Sequence, residues 1–151
     1  MNRPLAPSPV RTVLVISSDR ANMQLMTQLI ARRGDLKLLT ANNGKNGMEL
    51  AGACQPDVIV MDTWLSGISS RDALEWLCKN PETSQIPVVA VSSDALKTQV
   101  DAGLRAGFHR YLTKPFKVTD LMDAIDNSLG YTLDKLERFA GPGSRNNEAY
   151  R

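Results

Sequence analysis

At 151 residues, with 42% hydrophobic and 23% charged residues, the chain is long enough for one domain with a real core and too short for two ordinary ones. A formal net charge of +2, with no basic run beyond pairs such as Arg32-Arg33, gives no nucleic-acid footprint, and no apolar stretch approaches the length of a membrane span. Cys54 and Cys78 lie in predicted helices without CxxC or His-rich spacing, so packing in a reducing cytoplasm is expected in place of zinc or a disulfide.

The chain opens on a proline-bearing lead-in over residues 1–10 that has no signal-peptide character. Thr12-Val13-Leu14-Val15-Ile16 is a continuous apolar run, expected as the first strand, and Ser17-Ser18-Asp19 follow it. A helix is predicted over about Arg20 to Arg33, with Met23, Met26, Leu29 and Ile30 inward, Asp19 or Ser18 as N-cap and Gly34 as C-cap. Leu36 to Thr40 alternates as an edge strand does, and a short helix from about Lys45 to Cys54 ends before Pro56.

The third strand, Val58-Ile59-Val60-Met61, ends abruptly on Asp62. A carboxylate at the C-terminal end of a buried strand, in an open parallel α/β sheet, stands where such folds bind ligands. The competing interpretation is a turn cap before Ser66-Gly67. Ser69 with Asp72 forms an S-x-x-D capping signature for a helix to about Lys79, expected to bury Leu74, Leu77 and Cys78. Val88 to Val91 is the fourth strand and runs into Ser92-Ser93-Asp94. The next helix, about Ala95 to Ala106, is expected to bury Leu96, Val100 and Leu104 and to close on Gly107, and Asp94 looks like a cap. Arg110 to Thr113 is a short fifth strand leading to Lys114-Pro115-Phe116, and a last core helix is expected from about Thr119 to Leu129, closed by Gly130. A further short helix over 131–140 and a flexible tail complete the chain. Five successive β-α units predict a flavodoxin-like doubly wound parallel sheet of order 2-1-3-4-5.

Strand ends thus deliver Ser17-Ser18-Asp19, Asp62, Ser92 and Lys114 to one crevice. That ordered set resembles the receiver domain of two-component response regulators over residues 11–130, and the wording of Ser18 to Asn22 and Ala106 to Phe116 is similar to C-terminal receivers of hybrid sensor kinases. The resemblance implies that Asp62 accepts a phosphoryl group from a histidine kinase or phosphotransfer protein. It implies further that Ser92 and Lys114 hold the phosphoryl group, with Thr63, Trp64 and Ser93 around it. Lys114-Pro115 is implied to be cis. Ser92 and Tyr111 are implied to act as the switch, with docking or a homodimer through the face of the fourth helix, fifth strand and fifth helix. Beyond phosphotransfer to itself and autodephosphorylation at Asp62, no enzyme activity is implied.

This sequence departs from the family where Mg²⁺ is usually held. The two acids after the first strand are Ser17 and Ser18, leaving Asp62 and, by way of a one-residue bulge, Asp19 as candidate metal ligands. Weak or absent Mg²⁺ binding is therefore expected. Ser18 matches the directly ligating acid, so Ser18→Asp is expected to strengthen it. The loss of charge also keeps two alternatives open: a phosphorylation-independent interaction module, and a small anion or nucleotide site on serine hydroxyls beside Lys114. Trp64 is expected at the crevice mouth, Trp76 partly buried, and His109 as a loop residue at the surface, not a phosphohistidine.

Overall fold

The computed structural model describes residues 10–94 and 96–140, so the expectations for the lead-in over 1–9 and for the tail beyond 140 lie outside the described residues. The strands are β1 (Arg11–Ile16), β2 (Leu36–Ala41), β3 (Val58–Asp62), β4 (Val88–Ser92) and β5 (Arg110–Thr113), and the helices are α1 (Arg20–Ala31), α2 (Gly44–Cys54), α3 (Ser70–Lys79), α4 (Lys97–Ala106) and α5 (Val118–Ala140). All strand pairs are parallel and the sheet order is β2-β1-β3-β4-β5, the predicted flavodoxin-like arrangement. No described helix is long and apolar enough to cross a membrane.

The strands read as unbroken apolar runs because both sheet faces are covered. Val13 and Val15 of β1, Val58 and Val60 of β3, and Val89 and Val91 of β4 pack with Met26 and Ile30 of α1 and Leu121 and Ile125 of α5. The alternate residues Leu14, Ile16, Ile59, Met61, Val88 and Ala90 pack with Met48 and Ala51 of α2 and Leu74 and Leu77 of α3. Side chains two residues apart share a face. This parity places the site as well as the core.

Several local expectations are corrected. α1 ends at Arg32 in ordinary helical conformation, without a left-handed Gly34 cap. Cys54 and Cys78 are exposed. On α4 the inward residue is Gly103, while Leu96 and Leu104 are 64% and 43% exposed. The Tyr111 ring lies against Gly103, so this glycine and not a leucine takes the inward position of α4. Gly107 does cap α4 with a positive φ of 126°. Gly130 does not stop α5, which runs unbroken to Ala140. An exposed glycine costs a helix about 1 kcal/mol, too little to end one otherwise supported by its neighbours. His109 is half-buried, its Nδ1 standing 3.0 Å from the Ser128 hydroxyl on α5.

Arg33 links the turn between α1 and β2 to α5. Its guanidinium contacts Asp35 at 2.8 Å and Asp126 at 3.0 Å. Hydrogen bonds donated to Asp35 and then Asp126 hold Arg33 even more firmly protonated, and the bond from Arg33 pulls the Asp35 carboxyl below its usual range. A carboxyl with a depressed pKa contributes stability above its unfolded value, about 4, and that contribution is lost as the pH falls through the lowered one. Arg33→Ala is expected to speed amide exchange in α5 around Asp126 several-fold at neutral pH, with only a small loss of thermal stability because both carboxylates are half exposed. Unchanged exchange there would show that the core contacts of α5 suffice.

Candidate functional site

The register determines which residues meet. Ile16 pairs with Met61, so the next residue of each chain, Ser17 and Asp62, stand level at the strand ends. Ser17 and Asp62 share parity with Val13, Val15, Val58 and Val60, and Lys114 shares it with Leu112, which packs against the same cluster. All three therefore lie on the α1/α5 side. The Asp62 carboxylate, 1% exposed, receives the Ser17 hydroxyl proton on Oδ2, the Asn22 amide on Oδ1 and Oδ2 at 3.2 and 3.1 Å, and Lys114 Nζ on Oδ1 at 3.1 Å. The Lys114-Pro115 peptide is cis, as the sequence resemblance implies.

Asn22 is the site residue that the sequence analysis did not single out. It lies in the first turn of α1, whose N-cap Asp19 accepts from the Asn22 backbone N–H at 3.2 Å, and it is 8% exposed. A signal existed, because residues 22, 26 and 30 share one helix face and Asn22 heads the apolar stripe of Met26 and Ile30. A polar side chain on a core-facing stripe needs a buried partner. That partner is Asp62.

Ser17, and not Ser18, stands against the acceptor. The Ser18 hydroxyl donates to the Asn42 carbonyl at 3.1 Å and accepts from the Ser66 N–H at 2.9 Å, joining the ends of β1 and β2 to the loop after β3. Ser18→Asp would therefore break this latch without placing a carboxylate beside Asp62. β1 pairs without a bulge, so Asp19 is not carried onto Asp62; it caps α1 and lies 4.0 Å from Lys114. This corrects Asp19 as a metal ligand. The anion or nucleotide alternative loses its support too, because the serine hydroxyls it requires are engaged elsewhere.

Ser92 has the opposite parity, shared with Val88 and Ala90, and turns toward the other face. Its hydroxyl accepts from the Asp94 N–H at 3.0 Å, and its carbonyl accepts from Lys114 N–H at 2.7 Å. Asp94 in turn accepts from Leu96 N–H at 3.0 Å, so it closes the turn ahead of α4 and is not the helix N-cap. Ser92 lines a cavity of about 340 Å³ with Thr63, Trp64, Ser93, Gly103 and Tyr111. Trp64 stands at its mouth, 88% exposed, as expected, whereas Trp76, expected to be partly buried, is exposed on α3 at 39%. The predicted set thus forms two adjoining groups: a buried charged cluster around Asp62, and an open cavity around Ser92 and Tyr111.

A divalent cation does not suit this cluster. Mg²⁺ requires near-octahedral oxygen ligands. Asp62 is already surrounded by donors, and no group of three or more acidic, histidine or cysteine side chains able to hold a metal occurs among the described residues.

The sequence model of the response regulator receiver domain matches residues 13–126. The polar-differentiation response regulator DivK of Brucella anthropi is 30% identical over 120 residues, covering 80% of this chain and 97% of that protein. Protein PilH of Pseudomonas aeruginosa is 33% identical over 114 residues, 76% of this chain and 93% of that protein. Among solved structures, the receiver domain of the Francisella response regulator 1452 superposes with a TM-score of 0.75 at 26% identity, over 81% of this chain and 98% of that one.

Proposed function

Because the chain belongs to the response regulator receiver domain family of two-component signalling, we propose that Asp62 accepts a phosphoryl group from a histidine kinase or phosphotransfer protein. The observation that carries this is the Asp62–Lys114 pair, 3.1 Å apart at the ends of β3 and β5, with Ser92 on the strand between. A carboxylate oxygen attacks phosphorus, the phosphorus–nitrogen bond of the donor breaks, and the imidazole leaves with the electron pair. Charge on the phosphoryl oxygens is offset by Lys114. Once one Asp62 oxygen is esterified, the donors on it must exchange the carboxylate for phosphoryl oxygens. Ser92 and Tyr111, which line one cavity, would carry that change to the face of α4, β5 and α5, the proposed docking surface. The activity is signalling by self-phosphotransfer, not turnover of a separate substrate.

Incubation with acetyl phosphate, followed by intact mass measurement, tests the proposal: one added phosphoryl group is expected. Lys114→Ala should slow incorporation about a hundredfold, the usual cost of removing one charge-stabilising donor from a reacting centre. An equal rate in Lys114→Ala would detach the lysine from the chemistry.

A second reading, a phosphorylation-independent interaction module, is favoured by one observation: Ser17 stands as a neutral donor where the family resemblance implies an acid, and the neutral Asn22 amide joins it on Asp62. No incorporation at any donor concentration, with a partner still bound, would select it.

A further inference from the structure

We infer that Asn22 and Ser17 replace a divalent cation at the acceptor: together with Lys114 they surround the Asp62 carboxylate with donors and hold its orientation without Mg²⁺. Receiver domains typically bind Mg²⁺ at an acidic pocket. This chain has the pocket without the acids.

An ionised carboxylate has about four lone-pair sites. Here three donor groups surround it: Lys114 on Oδ1, Ser17 on Oδ2, and the Asn22 amide shared between both oxygens. The Asn22 orientation is dictated by chemistry, because the flipped amide would set its carbonyl oxygen against the carboxylate. Asn22 can offer that oxygen to a cation only by a half-turn that takes its amide donor away from both Asp62 oxygens. Ser17 is at most a neutral ligand: its proton is committed to Oδ2 and one lone pair accepts from the Asp19 N–H at 3.2 Å, so it brings no charge to a cation. The neutral side chains nearest Asp62, Ser17 and Asn22, are thus engaged by the acceptor and would bring a cation no charge. Asp19, the nearest other acid, caps α1 and faces Lys114. Ser17 and Asp62 are each 1% exposed, so an incoming ion would also have to shed its hydration shell with little charge to replace it.

Asn22 and Ser17 are accordingly positioning residues, acting through Asp62. The inference concerns the free Asp62 carboxylate and does not depend on whether that residue is a phosphoacceptor, so its test needs no phosphodonor. The full chain is titrated with Mn²⁺ while backbone amide signals around Ser17, Asn22 and Asp62 are followed, and thermal unfolding is measured with and without millimolar Mg²⁺. Wild type should show no saturable broadening at these residues and no Mg²⁺-dependent shift in Tm. Ser17→Asp and Asn22→Asp each add a carboxylate beside Asp62, and each should gain metal binding by about tenfold or more. Ligand binding to the folded state alone raises Tm, so even a variant weakened by carboxylate repulsion reports its gain as Mg²⁺-dependent stabilisation. Asn22→Ser, which removes the clamp without adding charge, should stay insensitive to metal. Site-localised, saturating broadening in wild type at millimolar metal would overturn the inference, as would acid variants no more metal-responsive than wild type.

Discussion

Asp62→Asn is expected to lose phosphoryl incorporation completely while keeping its fold, and to unfold at a lower temperature than wild type. The first effect follows from removing the nucleophile. The second follows from its surroundings. Ser17, Asn22 and Lys114 all donate toward this side chain, and an amide replaces one accepting oxygen with an NH₂ group that faces donors. A buried polar group left without a partner costs about 1–3 kcal/mol, a substantial part of a typical domain stability of about 5–15 kcal/mol but not all of it. Lys114, its side chain 26% exposed, retains Asp19 at 4.0 Å and turns toward it. Intact mass after acetyl phosphate treatment checks the first effect and a thermal melt the second. A phosphoryl group persisting in the variant would move the acceptor elsewhere. Asp19 and Asp94 are the competing carboxylates, and each already accepts from a backbone N–H, Asp19 as the α1 N-cap and Asp94 in the turn ahead of α4.

The architecture was legible because strands buried on both faces leave a coarse signal, and β1, β3 and β4 needed no partner to be found. Asp62 stood out for the same reason, a charge interrupting an apolar run. Ser17 and Asn22 were harder because their roles depend on register and on helix phase. The pairing Ile16–Met61, absent from any single strand's pattern, brings Ser17 rather than Ser18 level with Asp62. Parity alone would have separated Ser92 from Asp62, since it shares alternation with Val88 and Ala90. The exposure of Leu96 and Leu104 was not legible, because a helix stripe does not say how far the helix is rotated toward its neighbour. Here it is Gly103, not a leucine, that faces the Tyr111 ring.

Gly103→Val is expected to destabilise the domain by about 1–3 kcal/mol, the usual cost of forcing added methyl groups into packed space. A Cβ on Gly103 would lie 2.6 Å from Tyr111 Cε2 and 2.7 Å from Cδ2, closer than such contacts allow. Phe108, 5% exposed and meeting the Tyr111 ring edge-on with centroids 6.2 Å apart, has no room to retreat. The Tyr111 backbone is held opposite Ala90 in the sheet, so the strain must be relieved by the half-buried ring swinging outward or by α4 lifting. Either movement alters the cavity shared with Ser92 and the α4 face proposed for docking. Loss of a helical glycine gives back up to about 1 kcal/mol in propensity, which limits the net cost but does not remove the overlap. The diagnostic is a double-mutant cycle with Tyr111→Ala. If the ring is what the introduced valine strikes, Gly103→Val should cost much less once the ring is gone, with a coupling above about 1 kcal/mol by denaturant unfolding. Additive effects would place the strain in α4 itself and release Tyr111 from control by Gly103.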